Sequence, residues 1–552
     1  MTDEQGPQRR DPDDLWGDTG GAAAHGEDGF PGADDLFESP AVAARAAYDI
    51  PVYDYRPAHA DVPAPDPSRR TLRGSLLLTL ASTVLPGSGL LGAPSLGLKV
   101  VGGVTAALSL GALGFLGFKA VTDQAGVAKF VASQGVLTAM TPVLAALAVV
   151  WVLLILGTHL ATRPSALPNG RRLVGAVVVT ALAFAAAAPT ALAARYTRDA
   201  NMLLTTVLPD ATKIVATNRP TLATTGADPW ANIPRLNVLI LGADGSASRA
   251  ENVALYGIRT DTIMVASIDT KTGDTTLIQI PRNVQYTPFP EGTEMHDAFP
   301  DGFRGEPVGD FYVNSIWEQV ESNYPHLLAG STYRGAEALK QGVEGITGLP
   351  IDYFVMLNID GLRKLIDAMG GVTVNINRWL PIGGNTDRGI RPTESISPGP
   401  SRHLMGRDGL WYARSRYGSD DYERMARQSC LVNAIIDQAN PQTLLANFEP
   451  IANASADILT TDIPRQDLNG IIDLAFRVKD DGKVRRLVFS NGKHGYSYAN
   501  PDFEAMRAAV AKAIAPKSAT TPAPTKSADP SDPSTDPAQD VTDACAYQPE
   551  EQ

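Results

Sequence analysis

Apolar and polar positions divide this chain into three regimes. Four long uncharged apolar stretches come first, at about 74–93, 100–118, 136–158 and 173–194. A membrane-spanning helix needs about 20 such residues, so each is long enough in principle. Pro86, Gly87 and Gly89 interrupt the first stretch, which predicts a re-entrant or interfacial segment, because broken backbone at membrane depth must be covered by protein. From about 233 the apolar runs shorten to strand length, at 236–241, 261–268 and 276–280, with a turn-like DTKTGD at 269–274 between the last two. A helix is expected at 337–346, stopped by Gly348-Leu349-Pro350, then a strand at 353–357, a helix at 359–369 and a strand at 372–376. Short buried strands alternating with helices predict an α/β domain, a layered αβα arrangement with a mixed central sheet.

The Gly- and Pro-rich stretch 381–402 reads as a loop, 412–416 as an extended segment and 421–439 as a helix. A strand near 486–490 and a helix at 503–514 close the domain. These patterns give five regions: a disordered acidic leader at 1–68, a membrane region at 69–195, a linker at 196–232, a large domain at 233–515 and a disordered Pro/Ser/Thr/Asp-rich tail at 516–552.

Charge adds the topology. Arg69, Arg70 and Arg73 precede the first apolar stretch, and Arg163, Arg171 and Arg172 precede the last. Basic clusters stay cytoplasmic, so an even number of crossings separates them. Three crossings are therefore expected, with the large domain outside the cell. The net charge of −13 belongs mostly to the leader, which carries fifteen acidic and four basic side chains, so it says little about the domain. No dense basic face marks a nucleic-acid partner. Cys430 and Cys545, one in an expected helix and one in the tail, suggest neither a disulfide framework nor a metal site.

Candidate chemistry lies in aspartates and arginines. Asp244 follows an apolar strand and a glycine, where α/β sheets place ligands. Arg259 and Asp261 are two apart, so an extended chain points them the same way. Arg282 ends another strand, and Arg414 and Arg416 are again two apart. On the helix 421–439, Arg424 and Gln428 share a stripe with Leu431, Val432 and Ile435, and polar groups on an inward stripe need partners. Two carboxylates can hold a divalent cation through oxygen, and several guanidiniums can clamp phosphate oxygens in pairs. The constellation suits a diphosphate, and the adjacent membrane suggests that a lipid carries it. Phosphate-binding glycine loops, a serine nucleophile elbow and zinc motifs do not occur.

In order along the chain, NVLILGAD (237–244), RTDTIMVASID (259–269), TLIQIPRN (276–283), YVNSIW (312–317), the run 351–376 and YARSRYGSDDYERMARQ (412–428) resemble the LytR-CpsA-Psr family of cell-envelope enzymes. The resemblance implies a phosphotransferase that moves a glycopolymer from a polyprenyl diphosphate carrier to peptidoglycan with Mg²⁺ or Mn²⁺. Asp244 and Asp261 would then hold the metal, while Arg259, Arg282, Arg414, Arg416, Arg424 and Gln428 would bind the diphosphate. Asn283 stands where the family usually has Asp. Polyprenyl diphosphate hydrolysis and non-catalytic lipid binding are the alternative expectations.

Overall fold

The computed structural model describes residues 70–223, 228–243, 259–385, 389–439, 459–516 and 537–549, all within one unit, Pro65–Gln552. The leader 1–68 lies outside these residues. Five helices come first: α1 (Leu72–Val84), α2 (Leu96–Thr122), α3 (Gln124–Ala132), α4 (Gln134–Thr162) and α5 (Asn169–Val207). Three of them, α2, α4 and α5, are long and apolar enough to cross a membrane.

The 13-residue α1 follows a different path. Its buried Ser75 hydroxyl meets His159 Nδ1 at 3.1 Å and Thr162 Oγ1 at 2.9 Å, and Ser82 meets Thr158 at 2.9 Å, so α1 runs antiparallel to the end of α4. Beyond Pro86 the chain turns back on itself: the Gly89 amide donates to Ser82 Oγ, and a Cβ at Gly89 would lie 1.9 Å from the Leu78 carbonyl oxygen. Only glycine permits that approach. Arg70 donates to the Ala161 carbonyl at 3.1 Å, which brings the first basic cluster beside the second. The opposite end of the bundle meets the large domain, through Lys129 of α3 and Asp473 at 2.8 Å, and through Arg465 and Asn201 of α5 at 2.7 Å.

The domain is built on a seven-stranded mixed sheet of order β11-β10-β3-β2-β1-β4-β9. Its strands are β1 (Arg235–Ala243), β2 (Thr260–Asp269), β3 (Thr275–Ile280), β4 (Tyr353–Asn358), β9 (Leu459–Thr461), β10 (Val484–Val488) and β11 (Gln539–Asp540). β1 pairs parallel with β4 and β3 with β10, while the other pairings are antiparallel. Alternation sorts the side chains onto two faces. Leu239, Leu241, Val265, Ile278 and Phe354 pack under α6 (Ile316–Ser322), α7 (Arg334–Thr347) and α12 (Phe503–Ile514). Leu236, Ile240, Met264, Leu277 and Tyr353 face the other way. That second face is covered by α8 (Ile359–Ala368), α9 (Gly406–Arg414), α10 (Asp421–Gln438), α11 (Leu468–Asp480) and α13 (Val541–Ala544). The αβα layering with a mixed sheet is the architecture that the pattern predicts.

Four expectations are corrected. The stretch 381–402 is no loop: β6 (Leu380–Asn385) and β7 (Ile390–Ile396) form a hairpin, and β8 (Gly399–Leu404) pairs with β5 (Val372–Ile376). Gly383 and Gly384, at φ +77° and +78°, take up a bulge in that hairpin rather than ending it. The segment 412–416 is not extended. Residues 406, 409, 410 and 413 are buried at helical spacing, so Arg414 ends α9 and Arg416 lies beyond it. Cys430 and Cys545 form a disulfide, a pairing that 115 residues of separation conceal. The tail is not uniformly disordered, since residues 537–549 return to add β11 and α13 to the sheet edge.

Candidate functional site

β1, β3 and β4 end on one side of the sheet, where β2 begins, and there a cavity of about 950 Å³ opens. Its inner wall is apolar: Ile240 and Met264 from the sheet, Leu362 from α8, Leu410 from α9, and Val432 and Ile435 from α10. Its mouth carries Asp261, Arg282, Arg414, Arg416, Asp421 and Arg424. One helix spans both environments. Along α10, Asp421, Arg424, Gln428, Val432 and Ile435 all face the cavity, grading from charged through amide to apolar.

A bulge places the key carboxylate. Gly242 pairs with Thr262 and Ala243 with Thr260, leaving Asp261 as the extra residue. A bulge breaks the alternation of a strand and re-aims a side chain. Asp261 consequently meets the arginine that follows β3: Arg282 donates to Asp261 Oδ1 at 2.9 Å, and Asn314 Nδ2 approaches the same oxygen at 3.4 Å. Arg259 finds other partners, Asp310 at 2.8 Å and Glu318 at 3.1 Å, and does not line the cavity. The two residues that spacing alone points the same way are thus separated.

Asp421 gathers the remaining cations. Arg424 donates to its Oδ2 at 3.0 Å and to the Asp261 carbonyl at 3.2 Å, tying α10 to the bulge. Arg416 lies 3.6 Å and Arg282 3.8 Å from the same carboxylate. Asp421 escaped the sequence reading, although its position one turn before Arg424 is the ordinary spacing of a helical ion pair. Burial pushes the Asp261 carboxyl up, but Arg282, with Arg424 and Arg416 behind it, outweighs burial and holds it below the usual carboxylate range. Burial draws the Arg424 guanidinium down, opposed by Asp421, yet an arginine so placed keeps its charge. Arg424 Nε is buried without a hydrogen-bond partner among the described residues. Arg424 also lines the cavity, where its guanidinium charge can meet an incoming anion.

Gln428 is a strut in this arrangement. Its Nε2 donates to Thr262 Oγ1 at 2.9 Å and to the Ala413 carbonyl at 3.2 Å, so both amide hydrogens are engaged. Arg414 stacks 5.8 Å from the Trp411 ring centroid at the cavity wall. Tyr496 donates to Asn283 Oδ1 at 3.3 Å, a contact that uses the amide oxygen of Asn283. Asp244 lies outside the described residues. Among the described residues no three His, Cys, Asp or Glu side chains converge as a metal site. The carboxylates present nevertheless suit a hard cation such as Mg²⁺, which takes one or two protein carboxylates and completes its shell with phosphate oxygens and water.

Known proteins share this chain's pattern. The LytR_cpsA_psr family model matches residues 210–509, more than half of the chain. The sequence is 26% identical over 238 residues to the Enterococcus faecalis protein named polyisoprenyl-teichoic acid–peptidoglycan teichoic acid transferase TagU, covering 43% of this chain and 64% of that one. It is 25% identical over 247 residues to the Corynebacterium glutamicum cell wall biosynthesis protein LcpA, covering 41% and 44% respectively. These matches span 44–64% of the relatives' own lengths. A crystal structure of B. subtilis TagV aligns with 20% identity and a TM-score of 0.33, over 50% of this chain and 96% of that one.

Proposed function

Because the chain belongs to the LytR-CpsA-Psr family, we propose that it is a membrane-anchored phosphotransferase that moves a glycopolymer from a polyprenyl diphosphate carrier to peptidoglycan outside the cell. The observation that carries this reading is the gradient along α10. A cavity that is apolar at Val432 and Ile435 and cationic at Arg424, Arg416 and Arg282 matches one class of ligand, an apolar chain ending in a polyanion.

Arg282, Arg416 and Arg424 would clamp the diphosphate oxygens and neutralise charge as the phosphorus–oxygen bond to the departing prenyl phosphate breaks. Removing one such contact typically costs about 3 kcal/mol, on the order of a hundredfold in rate. Asp261, with Asp244, would hold Mg²⁺ or Mn²⁺, which supplies Lewis-acid polarisation of the phosphoryl group. Asp261 and Asp421 are the two cavity carboxylates that can take the proton of the acceptor hydroxyl as its oxygen bonds to phosphorus. The apolar wall takes part of the prenyl chain. Arg70, Arg163, Arg171 and Arg172 lie at the end of the bundle opposite the domain, and the positive-inside rule then puts the domain outside. A disulfide fits that oxidising side.

The test is turnover by the full chain in detergent, with a prenyl diphosphate oligosaccharide as donor and peptidoglycan as acceptor. Label attached to peptidoglycan in Mg²⁺, and lost with chelator, is the expected result. Release of prenyl phosphate without attachment would replace transfer by hydrolysis. Binding without any turnover would leave a lipid-binding protein.

A further inference from the structure

On the same cavity as the arginines, two tyrosines stand together. Tyr312 and Tyr498 both line the cavity, their hydroxyls 2.8 Å apart and their ring centroids 6.4 Å apart at 58°. Each is fixed by a loop that also touches the charged centre. Two residues after Tyr312, Asn314 reaches Asp261, and two residues before Tyr498, Tyr496 donates to Asn283. The Tyr498 backbone is held as well: its amide donates to Asn491 Oδ1 at 2.9 Å, and its carbonyl accepts from Gln285 Nε2 at 3.2 Å. Tyr422, in the first turn of α10, packs against the cluster that contains Tyr496.

These contacts set an order along the axis of α10. Ile435 and Val432 lie at the apolar end, Arg424 and Asp421 follow in the first turn, and the loop bearing Tyr498 lies beside that turn, where Tyr422 packs. A ligand whose apolar tail occupies the first part and whose diphosphate occupies the second brings its next group into the part of the cavity that the tyrosines line. Two phenols that share one hydrogen bond retain a donor hydrogen and acceptor lone pairs between them, beside two rings. That combination matches a pyranose, which offers hydroxyls around its edge and apolar C–H groups on its faces.

We propose that Tyr312 and Tyr498 form a saccharide platform that holds the sugar next to the diphosphate. The inference rests on the transferase reading, and its test is binding rather than turnover, so the two can fail separately. Affinities of the full chain in detergent are measured for geranyl diphosphate, for geranyl diphosphate bearing one N-acetylhexosamine, and for a soluble peptidoglycan fragment. The wild-type protein should bind the sugar-bearing diphosphate about tenfold more tightly than the bare one, as expected for one or two hydrogen bonds. Tyr312→Phe with Tyr498→Phe, which keeps both rings, should erase that difference and leave geranyl diphosphate affinity unchanged. If the variant instead loses affinity only for the peptidoglycan fragment, the proposal is overturned and the tyrosines serve the acceptor. Equal wild-type affinity for the bare and sugar-bearing diphosphates, with fragment affinity untouched by the substitutions, would overturn the proposal. So would an equal loss on all three probes.

Discussion

Arg282 and Asp261 meet at 2.9 Å across the ends of neighbouring strands, so the bulged carboxylate is already neutralised by an arginine of the site. Asp261→Asn should keep the fold and lower turnover about hundredfold, read as kcat in the transfer assay. Its pH signature has a definite sign. A carboxyl held below its ordinary value adds stability at neutral pH that is lost as pH falls through its folded-state value. Wild-type stability should therefore fall more steeply below about pH 4 than that of Asp261→Asn, by urea denaturation at pH 7 and pH 3.

Arg416 and Arg424 bind the same Asp421 carboxylate from different environments, with side chains 45% and 6% exposed. Arg416→Ala should cut turnover about hundredfold while moving stability by no more than about 0.5 kcal/mol. Arg424→Ala should cost similar activity and also about 2–3 kcal/mol of stability, because it strips a buried partner from Asp421 and from the Asp261 carbonyl. Denaturation midpoints measured beside kcat separate the two.

Asp352, at the start of β4, accepts the Asn237 amide at 2.7 Å, and burial pushes its carboxyl up to about 6. A raised folded-state value means the stability it contributes is complete at low pH and lost as pH rises through about 4 to 6. Asp352→Asn preserves the acceptor and should flatten that part of the profile, a difference of about 3 kcal/mol between the pH limits. A parallel slope in both proteins would assign the titration elsewhere.

The Cys430–Cys545 disulfide fastens α10 to the returning tail. Replacing both cysteines by serine should cost about 2–4 kcal/mol. Reductant should lower the melting temperature of the wild type and leave that of the double variant where it is.

The two ends of the helical bundle can be distinguished by labelling intact cells. With the native cysteines paired, a thiol introduced as Gln124→Cys in α3 should react with an impermeant maleimide. Ser165→Cys, between α4 and α5, should react only after permeabilisation. The reverse pattern would put the domain in the cytoplasm.

The sequence made the sheet legible because LNVLIL and DTIMVASI carry their burial in composition, and the residues around them are punctuated by turns. The inward Arg424–Gln428 stripe was legible for the same reason, since helical period and polarity conflict there. Other features depend on contacts that no local window contains. The bulge at Asp261 arises from register with β1, and it sends Arg259 to Asp310 and Glu318 instead of to the cavity. Asp421 gains meaning only when Arg282 arrives from another strand. The hairpin at 380–396 was hidden by glycines and prolines that an edge pair tolerates and a central strand does not.

The position of the cavity along β1 also has a bearing on reach. The last membrane helix arrives where Leu204, Val207 and Leu208 pack with Trp230 and Leu236, near the start of β1. The arginine cluster sits beyond Ala243, at the other end of a nine-residue strand, roughly 25–30 Å away. On the proposed reading, whatever part of that distance lies along the bilayer normal is bridged by the carrier's own isoprenoid chain. Short water-soluble analogues carry no such requirement, because they enter from solution.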